Sequence, residues 1–228
     1  MEPDPGNAGV GNRAKLFAAG SLYEPAVFAW LSSEKSFLEV KQMKANSHLK
    51  LRALCEGAVF VAMAQILGYI KLFSMPTGGS ITLGMLPIFL YCARWGFGPG
   101  MLSAFSLGLL QLLLDGAFAW GWQSIIGDYI LAYSVLGLAG IFSRLKNNLL
   151  WGILFGGFAR FIVAWITGAV VWGEYMPESF FGMTMTSPWI YSALYNGSYL
   201  FPCIILCILV AALLKKSLTD YISGKDLK

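Results

Sequence analysis

The sequence has few charged residues and a single histidine. Only 12% of its 228 residues are Asp, Glu, Lys or Arg, whereas 57% are hydrophobic and 15% aromatic. This composition excludes an ordinary soluble domain and is typical of a chain that crosses a membrane several times. The one histidine, His48, precedes the first long apolar segment. The sequence therefore disfavours histidine-based catalysis and histidine-based metal binding.

Other motifs are also absent. The sequence contains no GxxxxGK[ST] loop, so the chain does not hydrolyse ATP by the P-loop route. No basic stripe is interleaved with aromatic residues, which disfavours nucleic-acid binding despite the net charge of +4. The four cysteines form no CxxC pair and lie in apolar segments, where we expect small buried side chains rather than disulfides or zinc ligands. We expect no cofactor. The cysteines are Cys55, Cys92, Cys203 and Cys207.

Long apolar runs fill the chain from about residue 53 onward. We predict an all-α membrane protein with six transmembrane helices. The predicted apolar segments are 53–73, 81–93, 101–114, 120–142, 149–172 and 189–214. The second is short for a full crossing and carries Pro87, so it is either kinked or supported by neighbouring helices. We predict a polar cytoplasmic tail at 1–50, a six-helix substrate-binding domain at 51–216, and a cytoplasmic tail at 217–228.

The basic residues indicate the orientation of the helices. With the first tail inside, every Lys and Arg except Lys71 and Arg160 falls before the first apolar segment, after the sixth, at the turn near Arg94, or in the loop 144–146. Lys and Arg are retained on the cytoplasmic side of short loops, so both termini are predicted to be cytoplasmic.

Asp128 places a carboxylate inside an otherwise apolar run. It lies about eight residues below the outer end of the fourth segment, or roughly 12 Å at the helical rise. A charged side chain at membrane depth usually faces a cavity or a partner, so Asp128 is a candidate site residue. The alternative is that Asp128 lies near the membrane surface and is simply solvated.

The fifth segment carries a stripe with a spacing of four residues, formed by Arg160, Ala164, Gly168 and Trp172. Such a stripe is either a seam for helix packing or one wall of a ligand groove. The charge of Arg160 at membrane depth needs a carboxylate, a carbonyl or a polar cavity to stabilise it, and Glu56 and Asp128 are possible partners.

The sixth segment supplies polar and aromatic groups at a similar depth. Asn196 offers a donor and an acceptor that complement an aminopyrimidine edge, or else it makes an interhelical hydrogen bond. Tyr191 and Trp172 either line a ligand site or belong to an interfacial aromatic belt. Together with Asp128, these groups suit a flat, polar-edged, cationic ligand held by hydrogen bonds and cation–π contacts.

Seven short stretches also carry a family resemblance. The chain resembles the thiamine-specific S-component of energy-coupling factor transporters, the ThiT (YuaJ) family, over residues 52 to 214. The stretches are LCEGAVFVA (54–62), SMPTGGS (74–80), PIFL (87–90), RWG (94–96), GDY (127–129), GAVVWG (168–173) and WIYSALYN (189–196).

The resemblance implies a multi-pass protein of the bacterial plasma membrane that is not an enzyme. Its ligand would be thiamine, captured near the outer face, and its partners a membrane-embedded T-component and two cytoplasmic ATPase subunits. The implied ligand-binding residues are Asp128, Tyr129, Gly168, Trp172, Tyr191 and Asn196. Ala58 and Ala62 resemble the pair of small residues through which the first helix docks on the T-component.

One position departs from the family pattern. Family members commonly carry His four residues before the glycine of the fifth helix, and here that position is Ala164. Another vitamin or a thiamine precursor such as hydroxymethylpyrimidine is therefore an alternative ligand. A more remote alternative is an intramembrane lipid-modifying enzyme with Asp128, Arg160 and Glu56 as its polar centre, although no nucleophile–base pair accompanies them.

Overall fold

The described part of the protein is mostly helical. The computed structural model describes residues 47–75, 79–115 and 121–227, so nearly all of the predicted N-terminal tail lies outside it. The helices are α1 (Ser47–Tyr69), α2 (Leu86–Trp95), α3 (Phe97–Asp115), α4 (Gly121–Arg144), α5 (Asn148–Val171) and α6 (Pro188–Ile222). Among these residues, α2 is the one main helix too short to cross a membrane. The sixth helix continues to Ile222, past the predicted domain boundary at 216.

The short helix α2 lies in the middle of the bundle. All of its residues from Leu86 to Arg94 are buried, and it packs against α3, α4, α5 and α6. At the helical rise its 10 residues span about 15 Å, half of a bilayer core. Pro87 lies in the first turn, where a backbone N–H has no helical partner anyway, so it begins the helix and does not kink it. Of the two explanations for the short second segment, a kink and support by neighbouring helices, the second is therefore correct.

Helix α4 is irregular along its length. A first α-helical turn, Gly121–Ser124, leads into a π-helical segment, Ile125–Leu131, and the last part, Val135–Arg144, is a 3-10 helix. The π-helical segment packs closely on α5 at Gly127, because a Cβ built on this residue would lie 2.4 Å from a methyl carbon of Thr167. Asp128 follows this glycine directly. Such π segments are frequent at functional sites.

Two small hairpins connect the helices. Strands β1 (Phe73–Ser74) and β2 (Ser80–Ile81) pair antiparallel between α1 and α2. Strands β3 (Ser179–Phe180) and β4 (Met183–Thr184) pair in the same way between α5 and α6. The two residues between β3 and β4, Phe181 and Gly182, both have positive φ, which is the geometry of a type I′ hairpin turn.

An ionic cluster joins the start of α1 to the ends of α2 and α6. The guanidinium of Arg94, whose side chain is 1% exposed, donates to Glu56 at 2.9 Å and to Asp226 at 2.8 Å. Arg52 also binds both carboxylates, and the hydroxyl of Tyr221 donates to Glu56 at 3.1 Å. Arg94 is therefore a buried, paired cation in the last turn of α2, where the sequence predicted a turn between segments. The first helix begins at the same end of the bundle at which the last helix ends.

We expect Asp226 to stabilise the fold in a pH-dependent way. Hydrogen bonds from Arg94 hold the pKa of the Asp226 carboxyl well below its usual range. The stabilisation is complete above the unfolded-state pKa of about 4 and is lost as the pH falls toward the lower folded-state pKa. Asp226→Asn should lower the thermal midpoint at neutral pH by about 2 °C, a modest effect because the Asp226 side chain is half exposed.

The measurement is thermal unfolding of the detergent-purified protein at several pH values. Glu178→Gln is the matched control, because Glu178 is exposed and makes no ion pair with the described residues. The difference between wild type and Asp226→Asn should shrink below about pH 4. A difference that is independent of pH would contradict this role of the carboxylate.

Candidate ligand-binding site

Asp128 and Trp172 meet near one end of the bundle. The indole Nε1 of Trp172, just past the end of α5, donates to the Asp128 Oδ2 at 3.0 Å. The hydroxyl of Ser124 donates to the same oxygen at 2.8 Å. Asp128 is half-buried and held by two donors rather than lying free in solvent. The structure therefore brings together the carboxylate and the aromatic ring that the sequence picked out separately.

Gly168 and Asn196 lie where α5 and α6 approach each other. A Cβ on Gly168 would lie 2.3 Å from the Ser192 hydroxyl oxygen and 2.9 Å from the Asn196 amide nitrogen, so a side chain there would push the helices apart. The buried Asn196 donates from Nδ2 to the carbonyls of Ala164 and Ser192, and its Oδ1 accepts from Tyr199 at 2.8 Å. The interhelical bond considered from the sequence is thus present. A carbonyl oxygen has two lone pairs, so Oδ1 keeps one acceptor position.

Tyr191 belongs to an aromatic cluster on the first half of α6. Its ring centroid lies 5.3 Å from Phe180 of the β3–β4 hairpin and 5.7 Å from Tyr195, which in turn contacts Tyr199. The sequence analysis missed Phe180, Tyr195 and Tyr199. The spacing of four residues among the three tyrosines could have predicted that they lie together on one face of the helix. The position of Phe180 depends on the hairpin and could not have been predicted in this way.

Two other residues singled out from the sequence, Tyr129 and Arg160, make contacts elsewhere in the bundle. The backbone of Tyr129 packs against α3, since a Cβ on Gly108 would lie 2.6 Å from the Tyr129 carbonyl oxygen. Arg160 places its guanidinium carbon 4.1 Å from the ring centroid of Tyr133, a cation–π contact. Glu56, one of the possible partners named for Arg160, instead binds Arg94.

The predicted docking residues lie away from this region. Ala58 and Ala62 are exposed on α1, in a stripe that Leu54 and Ile66 extend at the same spacing. Cys55 is also exposed, contrary to the expectation that all four cysteines are buried. The described residues contain no cluster of three or more His, Cys, Asp or Glu that could hold a metal ion.

Five long apolar helices, with a carboxylate bonded to an indole near one end, define a multi-pass membrane protein with a candidate site for a polar or cationic ligand. Comparison with known families identifies which kind of membrane protein this is. The family model described as "Thiamine transporter protein (Thia_YuaJ)" matches residues 54–223. The chain belongs to this thiamine transporter family.

Individual relatives agree with the family model. The chain is 33% identical to the thiamine transporter ThiT of Bacillus subtilis over 184 residues, covering 74% of this chain and 93% of the relative. It is 28% identical to ThiT of Lacticaseibacillus paracasei, covering 74% and 90%. The solved structure of ThiT from Listeria monocytogenes matches with a TM-score of 0.66 at 27% identity, covering 76% of this chain and 98% of that one. The family is one of transporters, so a lipid-modifying enzyme is excluded.

Proposed function

We propose that this protein is the substrate-binding S-component of an energy-coupling factor importer and captures thiamine at the outer face of the membrane. The observation that carries the proposal is the hydrogen bond between the Asp128 carboxylate and the Trp172 indole near one end of an apolar bundle. A charge at this depth needs a compensating partner, and a cationic ligand supplies one.

The chemistry of thiamine fits this arrangement. Its thiazolium ring is a permanent cation and its aminopyrimidine ring carries donors and acceptors. Asp128 supplies negative charge and acceptor lone pairs, Trp172 supplies an aromatic face for the cation, and Asn196 Oδ1 supplies a further acceptor. These contacts have to offset the desolvation of the cation. Because Gly168 has no side chain, α5 and α6 come close together and the site is narrow. Tyr191 and Tyr129 complete the proposed set of ligand-binding residues.

A second candidate ligand follows from Ala164. The side chain at this position is a buried methyl group and its backbone carbonyl accepts a hydrogen bond from Asn196. Ala164 therefore offers no side-chain donor or acceptor where relatives of this family commonly place an imidazole. A precursor such as hydroxymethylpyrimidine, or another vitamin, is the alternative.

We also propose six membrane crossings with both termini in the cytoplasm, in the bacterial plasma membrane. The contacts of Glu56 with Arg94 and Tyr221 support an even number of crossings, because they join the start of α1 to the ends of α2 and α6. The short α2 would cross together with the extended residues before it, since such backbone is tolerated at membrane depth when protein surrounds it. Residues 1–50 and the last residues of the chain would then face the cytoplasm.

The proposed partners are a membrane-embedded T-component and two cytoplasmic ATPase subunits. The chain has no P-loop, so ATP-driven uptake by this route would need another subunit to hydrolyse the ATP. The exposed small residues Ala58 and Ala62 give α1 a surface that another helix can approach closely.

Tryptophan fluorescence of the detergent-purified protein tests the ligand. We expect thiamine to quench the emission in a saturable way at submicromolar concentration, because its cationic ring would stack on Trp172. Hydroxymethylpyrimidine and riboflavin are titrated in parallel, and Trp172→Phe identifies the reporting ring. A response to another of these ligands and none to thiamine would overturn thiamine as the ligand and favour the alternative.

A further inference from the structure

Ser124 is a buried polar residue next to the proposed site. It lies in the first turn of α4, directly before the π-helical segment that carries Asp128. The residue is 1% exposed, and its hydroxyl donates to the Asp128 Oδ2 at 2.8 Å. A serine hydroxyl has one proton, so this bond commits the only donor of the side chain.

The acceptor of this hydroxyl is unusual for a serine in an apolar helix. Such hydroxyls commonly donate to a backbone carbonyl of the preceding turn. Ser106 on α3 does so, donating to Leu102, and Ser198 on α6 donates to Tyr195. Ser124 instead donates forward, to the carboxylate four residues later. Its hydroxyl therefore acts on the charged group and not on the helix backbone.

Both donors to Asp128 use the same oxygen. Ser124 approaches Oδ2 from α4 itself, and the Trp172 indole approaches it from the end of α5. Two donors on one oxygen fix the rotation of the carboxylate, and no described residue donates to Oδ1. The free oxygen is the one that can accept a proton donor from a ligand.

We propose that Ser124 is a positioning residue for ligand recognition, which holds the Asp128 Oδ2 so that Oδ1 points at the amino group of the ligand's pyrimidine ring. The proposal rests on the proposed function, because it assumes an aminopyrimidine ligand in contact with Asp128. It adds a selectivity role to a residue outside the set that the family resemblance implies.

The test compares thiamine with oxythiamine, in which an oxo group replaces the amino group. Removing one hydrogen bond to a carboxylate should weaken thiamine binding by about tenfold in Ser124→Ala. Oxythiamine should be affected much less, since it has no amino group for the oriented oxygen. The ratio of the two affinities should therefore fall. Ser124→Thr, which keeps the hydroxyl, should restore both the thiamine affinity and the ratio.

Ser106→Ala is the matched control, because it removes a serine hydroxyl that bonds only backbone. An equal loss of affinity for both ligands in Ser124→Ala would mean a structural role and overturn the proposal. Unchanged affinity for both ligands would overturn it as well. Failure of the wild-type protein to bind thiamine would refute the proposed function itself, and is thus distinct from failure of the serine variants.

Discussion

The Asp128→Ala variant is expected to lose high-affinity thiamine binding while it stays folded. Removing one partner of a desolvated charge pair costs enough to weaken binding by about a hundredfold or more. The fold should tolerate the change because the partners of the carboxylate, Ser124 and Trp172, lie on the same helix and on the adjacent helix end. Isothermal titration calorimetry gives the dissociation constant, and thermal unfolding with size-exclusion chromatography confirms the folded state.

Two further variants separate the possible causes of that loss. Asp128→Asn keeps one acceptor oxygen for Ser124 and Trp172, but it removes the charge and replaces the second carboxylate oxygen with an NH2 donor, so it measures the combined contribution of the charge and of the acceptor that faces the ligand. Glu174→Gln removes an exposed carboxylate from the short turn after α5 and controls for the general negative potential at this end of the bundle. Unchanged affinity in a folded Asp128→Ala variant would remove Asp128 from the site.

The long helices and the acidic residue could be predicted from sequence because they depend on local composition. Apolar runs bounded by polar or glycine-containing turns place α3, α5 and the start of α6 within a few residues of their observed bounds. A carboxylate in such a run needs a partner wherever the helix packs. The Trp172 indole is that partner, and its position one turn after Gly168 was already part of the predicted stripe.

Features that depend on distant parts of the chain were not predictable. The π-helical segment forms where Gly127 meets Thr167, and neither residue alone indicates it. Arg94 looked like an ordinary loop cation, since its partner Asp226 lies 132 residues further along the chain. The β3–β4 hairpin has Phe181 at a positive φ, a conformation that the sequence gives no reason to expect of phenylalanine.

The exposed stripe on α1 is the surface that we propose for docking on the T-component. Ala58 and Ala62 lie between the larger exposed residues Leu54 and Ile66, so the centre of the stripe is a shallow notch in the surface of the helix. Small residues at this spacing let two helix backbones come close within a membrane. The notch lies on a different helix from Asp128 and Trp172, so the two functions should respond independently to substitution.

We therefore expect Ala58→Leu and Ala62→Leu to impair assembly with the T-component strongly and leave the thiamine dissociation constant unchanged. Added methylene groups in a close helix contact destabilise it enough to reduce complex formation and uptake by about tenfold or more. Ala212→Leu makes the same chemical change at an exposed position of α6 and should affect neither property. Co-purification with the T-component and ATPase subunits measures assembly, and radiolabelled thiamine measures uptake. Normal uptake in both α1 variants would show that another surface docks on the T-component. Lost binding of thiamine would mean that the stripe supports the ligand site, because a surface used only for docking has no contact through which it could alter the site.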